Sequence, residues 1–435
     1  MILLIFEDQA YENFLPLTYT RPVYDLKCGM YTFRERIEKR LKETGCDIDR
    51  LFLASRDYLT KVLKRKNEDA LVNEYDKVDD EVLMVNGRLF LDRKKTRELL
   101  EKLTSEGMMI QKGEILALRV KENTYNEIKE YLRKMKVSDI INSLKGRIKV
   151  FEVDGYKVFN YPWEVVIENT EILKEDIIER MKRGSSEELP EKVSVVGDKD
   201  QVFVSENVEI EPYVVFNVKN GPVFIDKNVY IQAGARIEGP TYIGEDTIII
   251  GGAQIREGSN IGPVCRVGGE LEESIIHGYS NKYHYGFIGH AYIGEWVNLG
   301  AGTTNSNLKN TYGTVKVTVK GKPVDTGLLK VGCTIGDMAK TLIGVLIYAG
   351  KKIGISAHVH GVITEDVPSF TLWAKSLGAK PTELYLESAI EIQRRMMARR
   401  KKTLSPEEEE LIRKLFEITA SEREEKGVVK GRFKL

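Results

Sequence analysis

The chain has five histidines, all between positions 277 and 360. Two of them lie in the segment Asn281-Lys282-Tyr283-His284-Tyr285-Gly286-Phe287-Ile288-Gly289-His290. Imidazole titrates near neutral pH, so a histidine beside a lysine and aromatics has the makings of a general base in a binding loop. A packed, hydrogen-bonded structural histidine is the competing reading. Downstream, the segment continues into Trp296-Val297-Asn298-Leu299-Gly300-Ala301-Gly302-Thr303-Thr304-Asn305-Ser306-Asn307, with a Gly-Ala-Gly corner. The N-terminal half has no histidine. Arg21 and Lys27, on a loop stiffened by Pro22, suit the clamping of an anionic substrate. The alternative is ion pairing with Asp8 or Asp25. Asp8 and Glu164 could ligate a metal, or be a surface acid and a helix cap.

These groups need elements to position them. Ile225, Ile231, Ile237, Ile243, Ile249, Ile255, Ile261 and Val267 recur every six residues without a slip. Val204 and Ile210 keep the same spacing earlier, and Ile293-Gly294, Leu299-Gly300, Ile335-Gly336 and Ile353-Gly354 resume it. A six-residue period fits neither a 3.6-residue helix nor a strand meander. It fits a parallel β-helix, in which each step is a short strand and a corner, with the aliphatic residue pointing into the shaft. The His284 segment interrupts that period, as a binding loop leaving a regular solenoid would.

Upstream, Ile2–Phe6, Leu51–Ala54, Val82–Val85 and Ile115–Val120 are aliphatic runs of strand length. They alternate with helical patterns at Tyr31–Leu41 and Thr96–Leu103. That alternation predicts an α/β domain with a mainly parallel sheet, whose ligands sit beyond the carboxyl ends of the strands. The expected division is an α/β domain over 1–182, a linker over 183–194, the β-helix over 195–370 and a helical extension over 371–435. In the extension, Ser405-Pro406-Glu407-Glu408 is a capping signal, and Arg399-Arg400-Lys401-Lys402 reads as a solvated face paired with Glu407–Glu410. Tyr312–Leu329 reads as a hairpin leaving the shaft towards a partner chain.

Apolar residues make up 42% of the 435 and charged residues 30%, which excludes disorder as the main state. Lys+Arg and Asp+Glu both total 66, so a globally basic nucleic-acid binder is disfavoured. No apolar run approaches the ~20 residues of a membrane helix. Met1–Phe6 meets Glu7 and Asp8 at once, unlike a signal peptide. Cys28, Cys46, Cys265 and Cys333 form no CxxC pair, which fits a reducing cytoplasm rather than a disulfide framework or zinc site.

The hexapeptide column together with Lys282–Asn298 resembles the C-terminal half of bifunctional N-acetylglucosamine-1-phosphate uridylyltransferase/glucosamine-1-phosphate acetyltransferase, in its alternative archaeal and Bacteroidetes branch. Phe6-Glu7-Asp8, Leu15-Pro16-Leu17-Thr18-Tyr19-Thr20-Arg21-Pro22, Leu26-Lys27-Cys28-Gly29, Val85-Asn86-Gly87-Arg88 and Tyr161-Pro162-Trp163-Glu164 are similar to motifs of that branch. The resemblance implies a nucleotidyltransferase-like (Rossmann-like) N-terminal domain, a left-handed parallel β-helix and a homotrimer. It also implies acetyl transfer from acetyl-CoA to glucosamine 1-phosphate and nucleotidyl transfer from UTP or dTTP with Mg²⁺. Under it His284 takes the place of the catalytic base and backbone N–H groups near Gly300-Ala301-Gly302 hold the developing oxyanion, while Lys282, Phe287, Asn298, Ala301 and Asn307 serve sugar phosphate and acyl donor. Arg21, Lys27, Asn86, Gly87 and Trp163 serve the nucleotide and sugar phosphate, and Asp8 and Glu164 the metal.

Departures are visible. Phe287 replaces a tyrosine, and Glu272 falls where a phosphate-binding lysine is expected, leaving Lys282 or Arg266 to substitute. Arg88 replaces a metal-binding aspartate, and the usual Gly-rich loop is missing. Two alternatives therefore stand beside the bifunctional enzyme: a nucleotidyltransferase whose β-helix only trimerises it, and a regulatory or structural homologue.

Overall fold

The first strand, β1 (Ile2–Phe6), is buried along its whole length because every residue in it is apolar. It pairs in parallel with β2 (Arg50–Ala54) on one side. Beyond β2 lies β3 (Leu71–Val72). On its other side it pairs in parallel with β4 (Val82–Asn86). Strands β5 (Gly107–Gln111), β6 (Glu114–Val120) and β7 (Lys149–Glu152) complete a seven-stranded sheet in the order β7-β5-β6-β4-β1-β2-β3. The expectation of a mainly parallel sheet meets one exception: β6 runs antiparallel to both β4 and β5. Helices α1 (Phe33–Glu43), α2 (Thr60–Lys66), α3 (Arg93–Lys102), α4 (Glu122–Arg133) and α5 (Val137–Leu144) belong to the same region. The computed structural model describes residues 1–184 and 186–434. Ser185, inside the expected linker, and Leu435, at the end of the expected extension, lie outside the described residues.

The chain divides into two compact units that do not follow sequence order. The first contains Met1–Phe14, Thr20–Leu26 and Tyr31–Asn160; the second contains Leu15–Tyr19, Lys27–Met30 and Tyr161–Leu435. The reason is side-chain chemistry on α6 (Pro162–Met181), which lies before the expected boundary at 182. Its Leu173 and Ile177 pack with Phe203, Phe224 and Tyr242 of the β-helix. Its Asn169 and Asp176 accept the backbone N–H groups of Gly29 and Met30 at 3.0 Å each. Asn260 of the shaft donates to the Gly29 carbonyl at 2.6 Å.

In the second unit the six-residue period becomes three files of inward side chains. Ile225, Ile243, Ile261, Ile276, Ile293, Ile335 and Ile353 stand in register on successive coils. Phe216, Ile237, Ile255, Leu271 and Ile288 form a second file. Ile210, Ile231, Ile249 and Val267 begin a third. From 225 to 243 to 261, each coil takes three six-residue steps. Most of these residues have no exposed surface, and each is worth ~1.5–3 kcal/mol when fully buried. The strands of these files are parallel, so the backbone groups of one coil pair with those of the next, ~4.8 Å away.

Lys316–Val319 and Lys322–Asp325 form the expected hairpin. Val315, Val317, Val319 and Val331 pack around Trp163 of α6 in the same unit, while Lys322, Pro323 and Asp325 are exposed. At the end come α7 (Leu386–Ala398), α8 (Pro406–Ile418) and α9 (Ala420–Glu425). The capping box is formed: Ser405 Oγ accepts from Glu408 N–H, and Ser405 N–H donates to the Glu408 carboxylate. Among the described residues no helix is long and apolar enough to cross a membrane.

Candidate functional site

His284 is exposed on a corner of the shaft, its ring 5.1 Å from that of Tyr283 in an edge-on contact. What holds the corner is Lys282. In the third inward file, Lys282 stands directly in register with Val267, in a place that earlier coils give to isoleucine or valine. It is 3% exposed, and its ammonium donates to the carbonyls of Gly268 at 2.8 Å and His284 at 3.1 Å. Lys282 therefore faces the interior and fixes the backbone of the histidine, an inward placement that corrects its expected role in sugar-phosphate binding. Burial pushes its ammonium down to about 8, partly offset by Glu270.

A Lys282→Met variant separates these effects. Methionine fills the same file without a charge, so stability at pH 7 should stay within ~2 kcal/mol of wild type, while acetyl transfer falls. In the unfolded chain the ammonium titrates near ~10.4, above its folded value, so the unfolded state binds more protons between the two. Wild type therefore gains stability relative to Lys282→Met as pH rises from about 8 to ~10, by roughly 3 kcal/mol. Urea unfolding of both proteins at pH 7 and pH 10 measures this; a constant difference would show that Lys282 is not a buried charge.

The Gly-Ala-Gly corner lies beside the histidine. Gly300 N–H donates to Thr341 Oγ1 at 2.8 Å and Gly302 N–H to the Tyr285 carbonyl at 2.9 Å. Among the described residues Ala301 N–H has no acceptor within the chain, which narrows the oxyanion donor to that one group. Asn298 Oδ1 accepts from Asn281 Nδ2 at 3.2 Å. Phe287 is half-buried and its N–H donates to Thr304 Oγ1 at 3.2 Å. Gly289 is required next to it: a Cβ there would lie 2.3 Å from the Phe287 ring and 2.9 Å from Asn307 Nδ2.

Sequence reasoning missed the group that orients Asn307. Its Nδ2 donates to His290 Nδ1 at 3.1 Å, and His290 Nε2 lies 3.1 Å from a Glu273 oxygen. An amide donor at Nδ1 puts the imidazole proton on Nε2, facing the carboxylate. The hydrogen bond to His290 holds the Glu273 carboxyl below its ordinary range. The signal was the second histidine of the quoted segment, whose partner Glu273 is distant in sequence.

The N-terminal residues are placed differently from expectation. Asn86, 1% exposed, donates to Asp8 Oδ2 at 3.0 Å and the Ile115 carbonyl at 3.1 Å, and accepts from Arg88 N–H at 2.9 Å. Gly87 is a packing glycine, since a Cβ would lie 2.8 Å from the Tyr24 side chain. Trp163 is core: it stacks on Tyr161 with centroids 4.3 Å apart. Lys27 belongs to the second unit, with its ammonium 4.8 Å from the Tyr242 ring centre and its backbone bracketed by the Tyr292 hydroxyl. Arg21 belongs to the first. Its loop is pinned by a buried pair that the sequence did not reveal. Arg56 donates to Glu7 at 2.9 and 3.2 Å and to the Arg21 carbonyl at 2.7 Å, while Glu7 accepts from Val23 N–H at 2.8 Å.

The expected metal ligands do not form a metal site. Arg88 donates to both oxygens of Asp8, at 2.9 and 2.6 Å, and to Glu114 at 2.9 Å. Glu164 caps α6 by accepting from Tyr161 N–H at 3.3 Å, in the other unit. Among the described residues no group of three His, Cys, Asp or Glu side chains could hold a cation. The place that resemblance assigns to an acidic ligand is filled by a guanidinium that consumes the neighbouring acid.

Residues 3–185 match the family model described as sugar nucleotidyl transferase. The chain is 26% identical over 425 residues to the bifunctional sugar-1-phosphate nucleotidylyltransferase/acetyltransferase of Sulfurisphaera tokodaii, covering 82% of this chain and 95% of that protein. It is 24% identical over 273 residues to the bifunctional protein GlmU of Trichormus variabilis, covering 57% of this chain and 53% of the relative. Against GlmU of Bordetella parapertussis it is 35% identical over 97 residues, 21% of each chain.

Proposed function

We propose that this chain, a transferase homologous to the bifunctional sugar-1-phosphate nucleotidylyltransferase/acetyltransferases, acetylates glucosamine 1-phosphate on its β-helix and joins the product to a uridylyl or thymidylyl group on its α/β unit. In the first step the amine attacks the thioester carbon of acetyl-CoA, the C–N bond forms, the C–S bond breaks and the thiol of coenzyme A leaves. His284 accepts the ammonium proton, Ala301 N–H stabilises the oxyanion, and Asn298 and Asn307 orient acceptor and acyl donor. The observation that carries this is an exposed imidazole on a corner clamped by Lys282, beside a backbone N–H with no acceptor of its own among the described residues. In the second step a sugar-phosphate oxygen attacks the α-phosphorus of UTP or dTTP and pyrophosphate leaves. Arg21, on the loop held by Glu7 and Arg56, is the cation offered to the triphosphate. Mg²⁺ is the cofactor this step calls for by kinship, although Asp8 and Glu164 do not supply its ligand set.

Purified protein with acetyl-CoA and glucosamine 1-phosphate should release free thiol. With N-acetylglucosamine 1-phosphate, UTP or dTTP and Mg²⁺ it should release pyrophosphate. The commitment of Asp8 to Arg88 favours a second possibility for the N-terminal half alone, a sugar-nucleotide pocket without turnover. Thiol release with no pyrophosphate from any sugar–nucleotide pairing would select it. A homotrimer in the cytoplasm is part of the same proposal. Tyr285 and Ile343, 74% and 75% exposed near the histidine corner, with Leu346 and Tyr348, offer an apolar surface for a neighbouring copy. Sedimentation equilibrium tests it.

A further inference from the structure

On the outer face of the shaft, next to the third inward file, Arg266, Asn281, Asn298, Lys340 and His358 stand on consecutive rungs in register. Neighbouring rungs are ~4.8 Å apart, so two long cationic side chains flank a pair of carboxamides. A third cation arrives from the C-terminal extension: Arg400, just beyond α7, donates to Asn281 Oδ1 at 2.5 Å. The run 399–402 therefore does not simply pair with the acidic start of α8, as its sequence implied. Arg394 and Arg413 take Glu409 instead. Among the described residues no carboxylate forms an ion pair with Arg266, Lys340 or Arg400, and Arg400 Nε is buried without an acceptor. This is unusual in a chain whose acids and bases are equal in number. Burial pushes the Lys340 ammonium down to about 8 and, with Arg266 and Arg399 nearby, lowers Arg400 as well. Partly desolvated cations without a counter-charge are costly, and an anion would relieve them.

The cluster adjoins the base. Asn281, in register with Arg266 and bonded to Arg400, is three residues before His284, and the Tyr283 ring lies against His284. Of the two residues expected to replace the missing phosphate-binding lysine, Arg266 belongs to this cluster and Lys282 does not, and Glu272 stands at the lysine's own place. Lys282 points inward, and Glu272 is buried near Arg256 and Lys330, at 3.5 and 3.9 Å.

We propose that Arg266, Lys340 and Arg400 form the subsite for the phosphate monoester of the acetyl acceptor, so that the C-terminal extension completes the acetyltransferase site. Coenzyme A also carries phosphates, but its long pantetheine arm separates them from the thioester. A cation cluster beside the base thus suits the small acceptor. The inference rests on the acetyl-transfer function proposed above.

The test uses the full chain and the variants Arg400→Gln, Lys340→Met and Arg400→Lys. The expected result is a rise of roughly tenfold or more in KM for glucosamine 1-phosphate for each of the first two, with Arg400→Lys recovering part of the loss. A KM that stays at the wild-type value, or a rise confined to acetyl-CoA, overturns it. Binding of inorganic phosphate and glucosamine 1-phosphate, followed by calorimetry, separates this inference from the catalytic one. If no acetyl transfer is found, binding by wild type that is lost in Arg400→Gln still supports the subsite. Equal binding by both proteins, or none by wild type, overturns it.

Discussion

Replacing His284 with alanine should lower the rate of acetyl transfer by about 10²–10⁴, the usual contribution of a positioned general base, with little change in stability. The side chain is exposed and, among the described residues, its ring contact is with Tyr283, so truncation creates no cavity and should shift unfolding by no more than ~0.5 kcal/mol. The corner itself is held by backbone: the His284 carbonyl bonded to Lys282 Nζ remains in the variant. The loss should therefore appear in kcat rather than in KM for either substrate. Thiol release at saturating substrate and a urea curve together measure both quantities. A His284→Ala protein at the wild-type rate would remove the base from the mechanism. Compared with Lys282→Met, the two losses should not add fully, because each removes the same positioned imidazole.

Arg88→Met should strongly destabilise the first unit, at a cost on the order of 3 kcal/mol. Arg88 is 1% exposed and gathers five acceptors: both oxygens of Asp8, Glu114, the Phe159 carbonyl at 3.1 Å and Asn160 Oδ1 at 2.6 Å. Methionine matches only the aliphatic stem and has no donors, so these acceptors lose their partner and the space of the buried guanidinium is left unfilled. The Asp8 carboxylate, 16% exposed, would keep only Asn86 and the Ala10 N–H. Asp8→Asn introduced together with Arg88→Met should recover part of the loss, because a neutral amide costs less to leave unpaired than a buried charge. Urea midpoints of the two single variants and the double variant test this. An Arg88→Met protein as stable as wild type would show that the pair is not structural.

The aliphatic period was enough to place the shaft, the Ser405 signal to place the start of α8, and the break in the period to point to the corner that carries the candidate base. A six-residue aliphatic period has few three-dimensional solutions, so Ile225 through Val267 could be assigned to a parallel β-helix before any strand was seen. Ser405 with Glu408 is likewise a local signal, since an N-cap acts on backbone groups three residues away. The break in the period marked the loop carrying His284. The strands at Leu71–Val72, Gly107–Gln111 and Lys149–Glu152 escaped notice because their apolar runs are short or mixed.

Tertiary structure alone decided which polar residues face outward and which hold the protein together. Lys282 continues an inward file in which every residue before it is apolar, and only the carbonyls of Gly268 and His284, brought together by coiling, make its burial tolerable. Asp8 meets Arg88 across 80 positions, and Asn281 meets Arg400 across 119. Such pairs are chosen by burial and charge complementarity between distant segments. A period or a capping motif is written in neighbouring residues; a charge's partner is not, because it is set by which surfaces the folded coils bring within hydrogen-bond reach.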